Sequence, residues 1–263
     1  MLDSLIMLFI NYRVFSKLKP ALVSLILCFG LFSSNVVFAD KTQSDPFEKV
    51  NRASFWVTDQ ADRFVLRPLS VGYTKITPDW AETGVHNFFT NLTEINSAVN
   101  GVFQLKFKVA GRASGRFLIN STIGGLGFFD LASKWGIYRQ SEDFGQTLGH
   151  WGVPSGPYLF IPLLGPSSVR DSTSLVADSV WRPIRYINHD LTRFELYGLQ
   201  AIDARSRLLE VEGLIIGDKY SFTRDFYLNF RKKQVADGVA EVVFEEDDFG
   251  DDFDDEFDDE FDE

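Results

Sequence analysis

Apolar residues recur at a helical period over most of this chain. From Asp45 onward, Phe47, Val50, Ser54, Val57, Ala61, Phe64 and Val65 fall on one helical face. Asp45 is a suitable cap, Pro46 suits a first turn, and Arg67-Pro68 predicts the end of the element. Pro78 opens a second helix, whose stripe is Val85, Phe88, Phe89, Leu92, Ile95, Val99 and Val102. Its polar members Asn87, Asn91, Glu94 and Asn96 are expected on a solvated face or along a water-filled passage. Lys106, Lys108, Arg112 and Arg116 follow, with Arg112 and Arg116 four residues apart on one helical face. That face is either solvated or a contact for anionic lipid head groups. Leu175, Val176 and Val180 predict a short helix ending before Pro183. Thr192 with Glu195 forms a capping-box pattern for a helix reaching about Glu212. A last helix runs from Asp218 to the basic trio Arg231-Lys232-Lys233. The predicted fold class is mainly α, with no internal repeat.

One stretch breaks the pattern. Ser141 to Asp171 holds five glycines and four of the nine prolines, which no regular helix survives. Its middle is nonetheless apolar: Tyr158, Leu159, Phe160, Ile161, Leu163 and Leu164 surround Pro162. Two placements stay open, short strands crossing a core or a hairpin dipping into a lipid interface. In the second, Trp151, Tyr158, Leu159, Phe160, Ile161, Leu163 and Leu164 form the interface, and Gly152 and Gly156 are candidate hinges at its entrance.

The segment FGQTLGHWGVPSGPYLFIPLLGPSSVRD (144–171) resembles the signature of the MlaA family, also called VacJ. Further matching blocks come in the family's order: DPFEKVNR (45–52), DRFVLRPLSVGY (62–73), NFFTNLTE (87–94) and GRFLINSTIGGLGFFDLA (115–132). Together the resemblance covers roughly 45–236. The family usually has Pro after the Glu of the third block, where this chain has Ile95. The resemblance implies a ring-shaped multi-helix protein with an apolar Gly/Pro hairpin and a central amphipathic channel, in the inner leaflet of the Gram-negative outer membrane. It implies non-enzymatic removal of mislocalised outer-leaflet phospholipids, which maintains lipid asymmetry. The implied partners are phospholipids, a trimeric porin and a soluble, MlaC-like periplasmic carrier.

Charge changes the picture at one end. Residues 245–263 contain fourteen acids and no base, so that tail carries −14. The chain as a whole is −11, which leaves residues 1–244 at +3. A near-neutral body without a basic stripe argues against a nucleic-acid partner. Phe249, Phe253, Phe257 and Phe261 recur every four residues in the tail. Such a composition predicts disorder in water, with the rings aligned if the segment folds on a partner.

The N-terminus reads as an export signal. A basic stretch at Arg13, Lys17 and Lys19 precedes an apolar run from Ala21, and Val37-Phe38-Ala39 resembles a cleavage site. Cys28 is the only cysteine. Most relatives are acylated at such a residue, but here Leu27 precedes it and more apolar residues follow, so cleavage after Ala39 is expected instead. The expected organisation is a targeting segment (1–39), a short linker (40–44), the helical lipid-transport domain (45–237), then a linker and acidic tail (238–263).

Enzyme chemistry finds little support. There is no G-x-S-x-G for a hydrolase nucleophile and no H-x-x-x-H among His86, His150 and His189. No cofactor or metal is expected. A periplasmic lipid hydrolase and a structural porin-binding adaptor are the alternative readings.

Overall fold

The computed structural model describes residues 45–215 and 217–237. The expectations placed on the export segment, Cys28 and the acidic tail fall outside them. Helix α1 (Glu48–Ala61) passes through a π-turn (Asp62–Leu66) directly into α2 (Arg67–Ile76). Long α3 (Asp79–Phe103) and α4 (Phe107–Thr122) follow, then the single turn α5 (Leu131–Lys134) and short α6 (Phe144–His150). Strands β1 (Tyr158–Ile161) and β2 (Gly165–Ser168) lead to α7 (Val169–Ala177) and two 3-10 turns, Asp178–Trp181 and Pro183–Tyr186. Helix α8 (Asp190–Ser206), a 3-10 turn (Glu212–Leu214) and α9 (Lys219–Val235) complete the order. The mainly helical expectation holds. No helix of the described residues is long and apolar enough to cross a membrane.

Several boundaries differ from the sequence reading, each for a local reason. Arg67-Pro68 does not end the first helix. A proline ring collides with the carbonyl four residues back in an α-helix. Here the turn before it is widened to i→i+5, with Arg67 N–H donating to Asp62 O, so the helix carries on past Pro68. Asp62, at that wide turn, takes two hydrogen bonds from Arg205 of α8, at 2.6 and 2.9 Å. Asp45 does hold the entrance of α1, accepting Phe47 N–H at 3.1 Å. Helix α8 is capped by His189, whose Nδ1 accepts Thr192 N–H at 3.2 Å, rather than by Thr192 itself. It ends at Ser206, short of Glu212. With Ile95 after Glu94, α3 runs unbroken for 25 residues, about 37 Å.

Helices α3 and α4 form the central hairpin of helices. They approach closely at Gly101, where a Cβ would lie 2.9 Å from the Ala110 nitrogen. Strands β1 and β2 pair antiparallel, Tyr158 opposite Ser168 and Ile161 opposite Gly165. Side chains alternate across a strand. Tyr158 and Phe160 therefore turn inward, where they meet Phe55 of α1 and Tyr220 of α9.

The burial pattern inverts that of a water-soluble domain. Among the described residues, 21 buried positions are polar or charged and 9 are apolar. Large apolar side chains line the outside instead, with Phe64 71% and Phe107 67% exposed. In water that distribution would be costly on both counts, because apolar area meets solvent while polar groups lose it. Against acyl chains the first cost disappears, and internal hydrogen bonding answers much of the second, although buried atoms such as Glu94 Oε2 and Asn96 Oδ1 have no partner.

The expected solvated face of α3 is accordingly corrected. Asn91, Glu94 and Asn96 are buried and only Asn87 is partly open. The period is helical as expected, and the polar face of α3 packs inward.

Candidate functional site

Three buried polar networks tie the family-like blocks together. The first joins α3 to α4. Arg116 Nε donates to Glu94 Oε1 at 2.7 Å, and its Nη2 donates to Asp130 Oδ2 at 3.0 Å. Ser133 Oγ takes a further bond from Nη1 at 2.9 Å, and Asn120 Nδ2 donates to Asp130 Oδ1 at 3.0 Å. Burial pushes the Glu94 carboxyl up despite Arg116. Burial also acts to raise Asp130, but hydrogen bonds from Ser133, Arg116 and Asn120 outweigh it and bring that carboxyl down to about 2.

This network separates Arg112 from Arg116. The pair does not share a surface for head groups, because Arg116 is only 2% exposed and its guanidinium is committed to two carboxylates. One turn earlier, Arg112 stays exposed and donates to Gln140 Oε1 at 3.1 Å.

The second network joins α3 to α6. Thr147 Oγ1 donates to Asn100 Oδ1 at 2.8 Å, and Asn100 Nδ2 donates to Asp178 Oδ1 at 3.0 Å. Phe144 N–H reaches Asp178 Oδ2 at 3.1 Å. Gln104 Nε2 bridges Glu142 Oε2 and Thr147 Oγ1 at 2.9 and 3.1 Å. Burial dominates at Asp178 and pushes its carboxyl up to about 6, although Asn100 and Phe144 N–H favour the charged form.

The third network lies at the base of the β-hairpin. Asp143 caps α6 and Asp171 sits in the first turn of α7, so the two carboxylates flank the chain that enters and leaves the hairpin. Arg231 of α9 holds both. Its Nη1 and Nη2 donate to Asp143 Oδ2 and Oδ1 at 2.6 and 3.0 Å. Its Nε and Nη2 donate to Asp171 Oδ2 and Oδ1, each at 3.0 Å. Tyr227 Oη and Arg170 Nε add bonds to Asp171 at 2.8 and 2.9 Å. Burial works against charge here, but the two arginines prevail and hold Asp171 well below the usual carboxylate range. Gly145 passes so close that a Cβ would lie 2.4 Å from Asp171 Oδ1. On the other side, Asn51 of α1 fixes the strand, accepting Phe160 N–H at 2.9 Å and donating to Tyr158 O at 3.1 Å.

The hairpin therefore has two zones. Tyr158 and Phe160 are core residues, not interface residues, since strand alternation aims them at α1 and α9. Leu159 and Ile161 are partly exposed, and Leu163 and Leu164 at the tip are 66% and 68% exposed. Trp151 is exposed too, with its Nε1 donating to Phe103 O at 3.1 Å. Gly152 and Gly156 have φ of +85° and +69°, backbone that side chains rarely adopt. A Cβ at Gly152 would meet nothing within 4 Å, whereas one at Gly156 would lie 3.2 Å from Val169.

Sequence reasoning did not single out Asn51, Asp143, Asp171 or Arg231 for these roles. Arg231 reads as one of three cations at a helix end, and the carboxylates are lost among many. The available signal was polar residues recurring inside apolar helical stripes. Among the described residues, no group of three His, Cys, Asp or Glu is placed to hold a metal ion.

Polar networks inside and apolar side chains outside define a class: a helical domain of inverted polarity. The MlaA lipoprotein model matches residues 43–234, and the chain belongs to that family. An uncharacterised protein of Rickettsia typhi is 41% identical over 147 residues, 56% of this chain and 59% of that protein. The chain thus spans less than two thirds of that relative's length. The intermembrane phospholipid transport system lipoprotein MlaA of Escherichia coli is 30% identical over 202 residues, covering 74% of this chain and 80% of that protein. Its Haemophilus influenzae counterpart is 30% identical over 225 residues, with 83% and 90% covered. A solved structure described as the structural basis for maintenance of bacterial outer membrane lipid asymmetry superposes with a TM-score of 0.63. It is 28% identical, and the match covers 73% of this chain and 99% of that one.

Proposed function

We propose that this protein moves phospholipid at the outer membrane of a Gram-negative bacterium and so maintains lipid asymmetry. It takes mislocalised phospholipid from the outer leaflet through an amphipathic channel in a helical ring and hands it to a soluble periplasmic carrier. The domain lies in the inner leaflet on the periplasmic side, exported by its N-terminal signal and held beside a trimeric porin. No covalent step is needed, because the task is to lower the cost of carrying a charged head group past acyl chains. The observation that carries this reading is the inverted polarity: Glu94, Asn100 and Arg116 are buried while Phe64, Phe107, Leu163 and Leu164 are exposed. Membership of the MlaA lipoprotein family supports it.

The test is to purify the full chain from membranes in mild detergent and identify bound lipid by mass spectrometry. Stoichiometric intact phospholipid is expected. Incubation with radiolabelled phospholipid separates the alternative, since release of fatty acid would make the protein a hydrolase. Complementation of a deletion strain completes the test, with surface-exposed phospholipid as the readout. No restoration of asymmetry would refute the transport role.

A further inference from the structure

We infer that the acidic tail, residues 245–263, folds back along α9 and lays its phenylalanines on an exposed ladder of three rings there, antiparallel to the helix. Phe222, Phe226 and Phe230 stand four residues apart on one face of α9 and are 38%, 55% and 48% exposed. Their planes are nearly parallel, at 8° and 6°, and successive centroids lie 6.3 and 6.0 Å apart. Four residues of α-helix rise about 6 Å, so the rings form a regular ridge. Phe249, Phe253, Phe257 and Phe261 recur at the same four-residue interval in the tail. Once helical, that segment presents a ridge of the same repeat, and two such ridges interleave along their length.

Charge selects the tail over acyl chains as the occupant. The ladder is bracketed by exposed cations, Lys219 before Phe222 and the pair Lys232 and Lys233 after Phe230. Lys232 and Lys233 take part in no ion pair among the described residues. The Lys219 side chain is 64% exposed, with Asp59 3.8 Å away. Arg231 is the exception at this end of the helix, since its charge is committed to Asp143 and Asp171. A ridge sunk in hydrocarbon would draw its flanking lysines toward that phase, which is costly. The hairpin tip carries no such charge, because Leu163 and Leu164 lie between Pro162 and Gly165. A segment with fourteen acids, no base and evenly spaced rings meets both chemistries of the α9 face at once. Acids beside the lysines pair with them, and the surplus stays in water.

The connection permits the reversal. Helix α9 ends at Val235, and Asp237 has a positive φ of 52°, a left-handed residue that turns the chain off the helix axis. Lys106 Nζ holds that turn, donating to Asp237 Oδ1 at 2.6 Å. Residues 238–244 then lead to Glu245. Extended, that connector reaches about 23 Å, while the ladder is only about 12 Å long. Antiparallel docking brings Phe249 beside Phe230 and Phe257 beside Phe222, with Glu245 to Asp248 near Lys232 and Lys233. Alone in water the tail buries too little apolar area to order itself. The ladder supplies that area, and the lysines reduce the repulsion among the acids.

The experiment uses the full chain in vesicles of phosphatidylethanolamine and phosphatidylglycerol, with the photo-cross-linker p-benzoylphenylalanine at position 226. Peptide mass spectrometry identifies what the cross-linker reaches. A link to a residue within 245–263 of the same chain is expected, and mixing ¹⁴N- and ¹⁵N-labelled chains distinguishes it from a link between copies. Lys232→Gln with Lys233→Gln should lower the yield at least about threefold, as should raising salt from about 0.05 to about 1 M, since exposed ion pairs are weak and screened. Both lysines are exposed, so the double variant should keep the helix content of wild type by circular dichroism. Adducts with acyl chains and none with the tail would show that the ladder faces lipid and overturn the docking. Links between copies, or a yield indifferent to both the lysine change and salt, would overturn it as well.

Discussion

Removing Arg231 should be among the most damaging single changes in this domain. Its guanidinium is the shared partner of Asp143 and Asp171, and Asp171 is buried. Arg231→Met keeps much of the side-chain volume and deletes the charge. Two carboxylates then face each other across the hairpin base without their main cation. Breaking a buried pair by removing one partner costs about 3–5 kcal/mol. For a domain of this size each kcal/mol lowers Tm by about 2–4 °C, so a fall of about 10 °C is expected.

The pH dependence sharpens the test. Asp143 and Asp171 are both held below their ordinary value in the folded protein, where Arg231 outweighs the effect of burial. The stability they contribute is present above the unfolded carboxylate range, near pH 4, and is lost as pH falls through their lowered folded values. In the variant only Arg170 still pairs with Asp171, burial weighs more heavily on both carboxylates, and protonation relieves their repulsion. The wild-type advantage should be widest near pH 7.5 and narrow toward pH 4.5. Arg231→Lys should fall between the two, because an ammonium cannot span both carboxylates with paired donors. Thermal unfolding followed by circular dichroism in one detergent, at pH 7.5, 6 and 4.5, measures all three. A Tm change below about 2 °C for Arg231→Met, or a gap that does not vary with pH, would refute the clamp.

Asp178→Asn should reduce a pH dependence of the opposite sign. With a folded value of about 6, Asp178 contributes stability that is full below the unfolded range near pH 4 and fades as pH rises through 6, by about 3 kcal/mol in all; denaturant titrations at pH 4.5 and 7.5 measure the difference. Gly145→Ala should lower Tm through its clash with Asp171 Oδ1, while Gly152→Val, with open space but positive φ, should cost only about 1–3 kcal/mol and still impair lipid asymmetry in a deletion strain. Unchanged asymmetry would remove Gly152 as a hinge. Intact-mass measurement of membrane-extracted protein should find a mature terminus near Asp40, and a triacylated Cys28 terminus would reject that cleavage.

Much of the helical architecture was legible because helical period survives in either solvent. The stripe from Val85 to Val102 gave α3 almost whole, and Pro78 marked its start. The direction of each face was not legible. An amphipathic pattern states that two faces differ, and the surroundings decide which one packs inward. Glu94, expected on a solvated face or along a water-filled passage, lies buried at the centre of a network with Arg116 and Asp130. Pro68 misled for a different reason, since a π-turn is set by backbone geometry and by Arg205 holding Asp62 from 143 residues away. The Arg231 clamp was hidden likewise: Asp143 and Asp171 lie 88 and 60 residues from it in sequence, and spacing carries no trace of such a meeting.

In the hairpin, a packed face and an exposed tip occur in one element. A strand that alternates inward and outward side chains can serve a core and a membrane at once. The inward set, Tyr158 and Phe160, is locked against Phe55 and Tyr220, while Asn51 and Arg231 fix the strand and its base. That anchoring leaves the tip, Pro162-Leu163-Leu164, projecting with its two leucines mostly exposed. Leu163 has a positive φ of 64°, and its N–H is held by Thr58 Oγ1 at 2.9 Å, so the tip is a defined turn rather than a loose loop. Full burial of a leucine side chain yields about 1.5–3 kcal/mol, so the pair offers about 3–6 kcal/mol to an apolar phase. Replacing both with Asp removes that gain and adds the cost of placing charge in hydrocarbon. Leu163→Asp with Leu164→Asp should leave Tm in detergent within about 2 °C of wild type, since neither side chain packs in the core. Release of phospholipid from the outer leaflet should fall sharply in the same variant. If asymmetry in a deletion strain is restored as well by the double variant as by wild type, the tip does not work in the membrane.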